Sequence, residues 1–183
     1  MSSLARLVLL LVLAAGPAHA QEGQFLSEAE APHAVFPDAD SVTRSEVEVT
    51  PALRDAVSAR LGKTHASVWE PRWVTFRAEH GTTLLGYAIV VEEIGKHRPI
   101  TFVVGLRPDG RVADVAVMAY REPYGGEIRS ARFLSQYHDK GPGDAVRPYR
   151  DIRNVAGATL SVEAASRAVK KAQALAAALG LTS

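Results

Sequence analysis

The chain contains no cysteine. This absence excludes disulfide bonds, iron–sulfur ligation, thiol chemistry and attachment of a c-type haem through a Cys-x-x-Cys-His motif. A redox role would therefore need an organic cofactor or a metal site built on histidine. The histidines are scattered and form no His-x-x-x-His pair, so the pattern argues against a metal site.

An excess of one charge is also missing. The formal net charge is +1, from 21 basic and 20 acidic residues, and no polybasic segment or basic stripe is present. The usual signatures of binding to nucleic acid and to anionic lipid are therefore absent. Beyond the N terminus, no apolar run is long enough to span a membrane. We expect a mature domain that is soluble and does not bind nucleic acid.

The N-terminal segment has the pattern of a secretory signal. Arg6 precedes an apolar run at residues 7–15, which is too short to cross a bilayer, and residues 18–20 read Ala-His-Ala, an Ala-x-Ala cleavage site. We predict that residues 1–20 are a cleaved signal peptide and that residues 21–183 form one domain exported to a periplasm. A short membrane anchor is the alternative.

Capping and turn signals divide the exported part into helices around a block of strands. Ser27 and Glu30 form a capping box that opens a short helix. Thr50 and Pro51 start a second helix, which Gly62 should end. Strands are predicted at residues 46–49, 68–78, 84–92, 100–106 and 112–120, with a loop at 38–43. The short turns between them favour an antiparallel meander.

Helical patterns return after the strands. Residues 127–137 are predicted to be helical, residues 138–150 to be a polar loop, and residues 160–179 to form a long final helix. The final helix shows a narrow apolar stripe, and Lys170 and Lys171 lie off it. Because the helices flank the strands and do not alternate with them, we predict an α+β fold: an antiparallel sheet flanked by helices in a single domain.

The segment before the final helix carries the chemistry. Residues 156–161 read Ala-Gly-Ala-Thr-Leu-Ser. The hydroxyl of Thr159 stands at a predicted helix start, where free backbone N–H groups attract phosphate. Gly157 and Ala158 leave space around that hydroxyl. Threonine and serine are also common N-cap residues, so Thr159 or Ser161 could simply cap the helix.

Several further segments make the chain resemble the FMN-binding domain family. They are residues 86–88, 95–102, 109–112, 120–128, 133–137 and 151–161, in the family's order and spacing. The family includes flavin subunits of the Na⁺-translocating quinone reductase and the Rnf complex, and this chain is similar to its short exported single-domain members. In the family, the threonine of a Ser-Gly-Ala-Thr run carries FMN through a phosphoester.

The resemblance implies FMN as the cofactor and Thr159 as its anchor. A flavin transferase, which takes FMN from FAD with Mg²⁺, would attach it. The loop after the strand at 112–120 would approach the flavin ring or its phosphate, with Glu122 bonded locally, although a plain surface turn is the alternative there. The cofactor-binding residues that the resemblance implies are Thr159, Ala158, Gly157, Ser161, Tyr120, Glu122 and Gly125.

Two positions depart from the family pattern. The family usually has serine three residues before the threonine and often has aspartate six residues before it, where this chain has Ala156 and Arg153. FMN could therefore be held without a covalent bond. The resemblance implies an exported electron carrier between a membrane redox partner and an extracytoplasmic acceptor, with no catalytic residues of its own. A binding or sensor module without covalent flavin, and a flavoenzyme that reduces a small organic acceptor, are the alternatives.

Overall fold

The computed structural model of the chain describes residues 23–182. The predicted signal peptide at residues 1–20 lies outside the described residues. The strands are β1 Ser41–Glu48, β2 Arg72–His80, β3 Thr83–Ile94, β4 Pro99–Leu106 and β5 Val112–Ala119. The helices are α1 Ala31–Val35, α2 Pro51–Leu61, α3 Ala131–Leu134 and α4 Thr159–Ala178, with 3-10 helices at Gly126–Arg129 and Ser135–Tyr137 beside α3. Within this range, no helix is long and apolar enough to cross a membrane.

The strands form one five-stranded sheet in the order β1-β2-β3-β4-β5, and every neighbouring pair is antiparallel. This arrangement confirms the predicted α+β class and the antiparallel meander. Each connection between strands is a tight turn except the one that contains α2. Strand β4 lies between β3 and β5 and is antiparallel to both. The β3–β4 turn and the end of β5 therefore lie at the same end of the sheet.

Helices cover both faces of the sheet, and each face has its own apolar core. On the larger face, β4 contributes Phe102 and Val104 to a core shared with α2 and α4. On the other face, Val103 packs beneath α1. This alternation follows from the period of two in a strand. Gly105 allows α1 to approach, since a Cβ there would lie 2.9 Å from the Cβ of Val35.

The local signal for the start of α2 was correct, but the one for α1 was wrong, because α1 begins only at Ala31, with Glu30 and not Ser27 at its N-cap. The hydroxyl of Thr50 accepts a hydrogen bond from the backbone N–H of Leu53 (3.2 Å), and α2 ends at Leu61, before Gly62. The predicted helix at 127–137 is wrong as a continuous element. Ser130 adopts an extended backbone conformation and caps α3 by accepting from the N–H of Phe133, so the segment is broken into three short helical turns.

Long-range pairing moved two strand boundaries. The predicted loop at 38–43 is wrong in its second half, because Ser41 already pairs with Glu79 of β2. The strand predicted from residue 68 begins only at Arg72. Gln24, near the start of the described residues, also joins the sheet, since it bridges to Ala119 at the end of β5. Contacts with residues distant in sequence decide each of these cases.

Helix α4 is buried over far more of its circumference than the predicted narrow stripe. Lys171, predicted to lie off that stripe, is fully buried. Its ammonium group donates to the carbonyls of Val68 (2.9 Å) and Glu92 (2.8 Å) and to the carboxylate of Glu70 (2.8 Å), and it lies 3.4 Å from Glu93 Oε1. Val68 and Glu70 lie in the segment before β2, which contacts this lysine and does not continue the strand.

Candidate cofactor-binding site

A β-turn leads directly into helix α4. The N–H of Ala158 donates to the carbonyl of Val155 (3.0 Å), and Gly157 has a φ of +81°, which suits the third position of a type II turn. Thr159 is then the first helical residue, and the carbonyl of Ala158 accepts from Val162 (2.9 Å). Because alanine has no side-chain oxygen, no side chain caps this helix start. The N–H groups of the first turn are thus available to an anion.

A cavity of about 640 Å³ opens beside this helix start. Its lining includes Gly157, Ala158, Thr159, Ser161, Glu122 and Tyr124. The volume lies in the range of about 300–1,000 Å³ that is usual for small-molecule sites. A second cavity of about 720 Å³ adjoins it, since both are lined by His97, Glu122 and Pro123. Among the predicted site residues, Tyr120 lines only the second cavity.

The loop after β5 packs tightly against the first turn of α4. Gly125 has a φ of +86°, and a Cβ there would lie 2.7 Å from the Tyr120 hydroxyl and 2.8 Å from the Ser161 hydroxyl. Only glycine permits this approach. The Tyr120 hydroxyl donates to the carbonyl of Tyr124, and its oxygen lies 2.9 Å from that of Ser161. Tyr120, Gly125 and the Ser161 side chain therefore fix the loop to the helix.

Burial raises the pKa of Tyr120, although the hydrogen bond with Ser161 acts in the opposite direction. The phenol therefore stays protonated at neutral pH and keeps its donor for the loop carbonyl. The hydroxyl of Ser161 is engaged in this contact. Ser161 would therefore contact a ligand at the helix start through its backbone N–H.

The carboxylate of Glu122 ties the same loop to the turn between β3 and β4. It accepts hydrogen bonds from the backbone N–H groups of His97 and Arg98, the latter at 2.8 Å. Burial acts to raise the pKa of Glu122, but the bonds from His97, Arg98 and Lys96 outweigh it, so the pKa lies below its ordinary value. Glu122 thus shapes the wall shared by the two cavities.

We expect the Glu122 contact to be lost in acid. Because the folded pKa lies below the unfolded one, the contact stabilises the protein fully above about pH 4.3 and loses this effect as the pH falls through the folded pKa. Glu122→Gln should lower the free energy of unfolding at pH 7 by about 1.5–3 kcal/mol. Urea unfolding as a function of pH measures this, and the difference between the two proteins should shrink toward pH 3. A constant difference would contradict the assignment.

The side chain of Asn154 contacts the hydroxyl of Thr159. Its Nδ2 donates to Thr159 Oγ1 (2.8 Å) and to the Tyr149 hydroxyl (2.6 Å). The sequence offered no signal for Asn154, because a lone asparagine in a loop has no distinguishing pattern. Of the two positions that depart from the family pattern, Ala156 has no polar side chain, and the side chain of the exposed Arg153 makes no hydrogen bond to the described residues.

The loop before this segment is held in place by Asp151. Its carboxylate accepts from the backbone N–H groups of Val146 (2.9 Å) and Arg147 (2.7 Å) and from Lys140 Nζ (3.4 Å). Burial acts to raise the pKa of Asp151, but these partners outweigh it and hold the pKa below its ordinary value. The loop leaves Tyr149 with a φ of +64° and a highly exposed ring.

Comparison with known proteins agrees with this geometry. Residues 95–174 match the family model of the FMN-binding domain, from the β3–β4 turn through the loop after β5 to helix α4. Over this segment the chain is similar to FMN-binding domains. The matched segment contains the whole lining of the first cavity, and FMN is the cofactor that the match indicates.

A curated relative supports the same assignment. It is one of the subunits of the proton-translocating ferredoxin:NAD(+) oxidoreductase complex of Clostridium ljungdahlii, and it is 28% identical over 105 residues. The aligned region covers 53% of this chain and 56% of that relative. The chain thus spans about half the length of the relative.

Proposed function

We propose that FMN is bonded through its phosphate to the hydroxyl of Thr159 and that the chain acts as an electron carrier. The observation that carries the proposal is the position of Thr159. It is the first residue of a helix without a side-chain cap, and it lines a cavity large enough for a flavin. When bound, FMN supplies the electron transfer, and the protein supplies position and shielding.

The residues at the helix start fit a phosphate. The backbone N–H groups of Thr159, Leu160 and Ser161 belong to the first turn, and a contact between an anion and such a helix end typically contributes about 0.3–1 kcal/mol when exposed. Gly157 leaves the approach open, since no atom lies within 4 Å of a Cβ placed there. A phosphate esterified to Thr159 would replace the missing side-chain cap.

The surroundings of the cavity fit a flavin ring. Tyr124 is 81% exposed and Leu160 is 45% exposed, and both line the cavity. Exposed apolar groups gathered at one place are typical of binding sites. Tyr124 and Leu160 would hold the flavin ring, and the second cavity adjoins this place. There Arg98 and Arg121 would favour a negatively charged reduced flavin by Coulomb attraction.

The proposal extends to location and partners. Residues 1–20 would direct export to the periplasm and be removed, and a flavin transferase would attach FMN to the exported domain. The domain would then relay electrons between a membrane redox partner and an extracytoplasmic acceptor. The relative from Clostridium ljungdahlii supports this role, since it is named as part of a proton-translocating oxidoreductase complex.

In-gel flavin fluorescence tests the proposal. The full chain is coexpressed with a flavin transferase, and the denatured protein is examined beside the absorbance spectrum of the native protein. We expect a fluorescent denatured band. A yellow native protein with a dark denatured band would overturn the phosphoester and leave bound FMN, as the alanine at position 156 would favour. A colourless protein would favour a binding or sensor module.

A further inference from the structure

The hydroxyl of Thr159 is held by a neighbour. Asn154 Nδ2 donates to Thr159 Oγ1 at 2.8 Å, and the same nitrogen donates to the hydroxyl of Tyr149 at 2.6 Å. Asn154 therefore bridges two hydroxyl groups. Hydroxyl oxygens can accept hydrogen bonds, so both can take one from the amide nitrogen of Asn154.

The rest of the Asn154 amide is unused by the fold. Its Oδ1 is buried and has no hydrogen-bond partner among residues 23–182. A buried amide oxygen without a partner is unfavourable, and native structures contain few of them. A side chain that served only to stabilise the loop would be expected to pair both ends of its amide. The contacts of Asn154 are instead directed at the two hydroxyls.

No other side chain of this segment takes that place. Ala156, Gly157 and Ala158 carry no polar side-chain atom, and the carboxylate of Asp151 is occupied by the loop that precedes it. Arg153 is exposed, and its backbone N–H donates to Gln136 Oε1 (2.8 Å). The described side chains thus leave Asn154 as the polar group that orients Thr159.

We propose that Asn154 is a positioning residue for FMN attachment and that Tyr149 holds its amide in place; this inference rests on the proposed attachment at Thr159. During attachment, Thr159 Oγ1 forms a bond to the phosphorus of the FMN half of FAD. The P–O bond of the anhydride breaks, AMP leaves, and the hydroxyl proton passes to a base of the transferase. No electrons are exchanged in this step.

The hydrogen bond prepares the oxygen for this attack. A threonine side chain has three staggered χ1 positions, and only one can direct Oγ1 toward a given phosphorus. Donation from Asn154 occupies one lone pair of Oγ1 and selects the rotamer in which that contact is made. The second lone pair remains free for bond formation. Orienting the attacking atom in this way raises the rate without a change in binding.

Attachment kinetics test the proposal. Purified apo-protein is incubated with a purified flavin transferase, FAD and Mg²⁺, and the initial rate is followed by in-gel fluorescence. Asn154→Leu should lower kcat by about 10- to 100-fold with little change in the KM for the apo-protein. Tyr149→Phe should lower kcat less. The double variant should be no slower than Asn154→Leu alone, because Tyr149 acts through Asn154.

A matched control separates positioning from loosening of the segment. Gln136→Leu removes the acceptor of the Arg153 N–H but does not touch Thr159, so it should keep the unsubstituted rate. The χ1 rotamer of Thr159, measured in the apo-protein by three-bond NMR couplings, gives a readout independent of attachment. We expect one rotamer in the unsubstituted protein and in Gln136→Leu, and averaging among rotamers in Asn154→Leu.

The outcomes distinguish the two proposals. An unchanged rate or an unchanged Thr159 rotamer in Asn154→Leu overturns the positioning role and leaves the attachment site in place. A change confined to KM overturns it as well, because it would mean that Asn154 contacts the transferase. Failure of the unsubstituted chain to acquire FMN at Thr159 overturns the proposed function and this inference with it.

Discussion

Thr159→Val is expected to abolish covalent FMN while the domain stays folded. Valine keeps the branched shape at Cβ and has a similar helix propensity, but it has no oxygen that can form the phosphoester. Thr159 is only partly buried, and its side chain contacts a neighbouring loop residue without entering the main core. We therefore expect the free energy of unfolding to change by about 1 kcal/mol or less.

The measurement is in-gel fluorescence of the denatured protein after coexpression with a flavin transferase. Thr159→Ser retains a hydroxyl and should still give a fluorescent band, although more slowly, since serine is less restricted at χ1. Thr64→Val makes the same substitution outside the first cavity and should leave the band unchanged. A fluorescent band from Thr159→Val would show that FMN is bonded elsewhere.

Lys171→Met is expected to destabilise the domain strongly. The ammonium of Lys171 is fully buried, and removing it leaves the carboxylate of Glu70 without its cation partner and takes one of two cation partners from Glu93. Breaking a buried ion pair by removing one partner typically costs about 3–5 kcal/mol. Glu93 retains Arg167 at 3.1 Å, which keeps the expected loss within that range.

Urea unfolding at pH 7 checks this expectation. Lys170→Met is the matched control, because the neighbouring lysine is less buried and its ammonium contacts only the carbonyls of Pro142 and Asp144. We expect it to cost about 1 kcal/mol. Adding Glu70→Gln to Lys171→Met should recover part of the loss, since the orphaned charge is then removed. Equal losses in the two lysine variants would contradict the role of the buried network.

Much of the fold was predictable because its signals are local. The alternation in the predicted strand at 112–120 and the short turns between strands predict the meander without any tertiary contact. Thr50 and Pro51 marked the start of α2 correctly for the same reason. The small residues before Thr159 and the helical pattern after it fit either a phosphate site or an ordinary N-cap, and the resemblance to the FMN-binding domain family predicts Thr159 as the anchor.

The elements that sequence reasoning missed depend on residues distant in the chain. Ser41 joins β1 because β2 offers a paired backbone, although its own segment lacks clear alternation. The partners of Lys171 come from β3 and from the segment before β2, and its position on the helix did not reveal them. Asn154 carried no signal in the sequence, because its contacts with the hydroxyls of Tyr149 and Thr159 form only in the folded chain and a single asparagine has no periodicity.

The sequence by itself determined the antiparallel meander and the helix that starts at Thr50 and Pro51, because both depend on propensity and spacing over a few residues. Its resemblance to the FMN-binding domain family also predicts Thr159 as the anchor. Only the tertiary structure decided that Ala158 leaves the start of α4 without a side-chain cap, that Glu122 ties the β3–β4 turn to the loop after β5, and that Asn154 holds the Thr159 hydroxyl. These contacts form between groups that are brought together only when the whole chain packs, so local sequence patterns do not predict them.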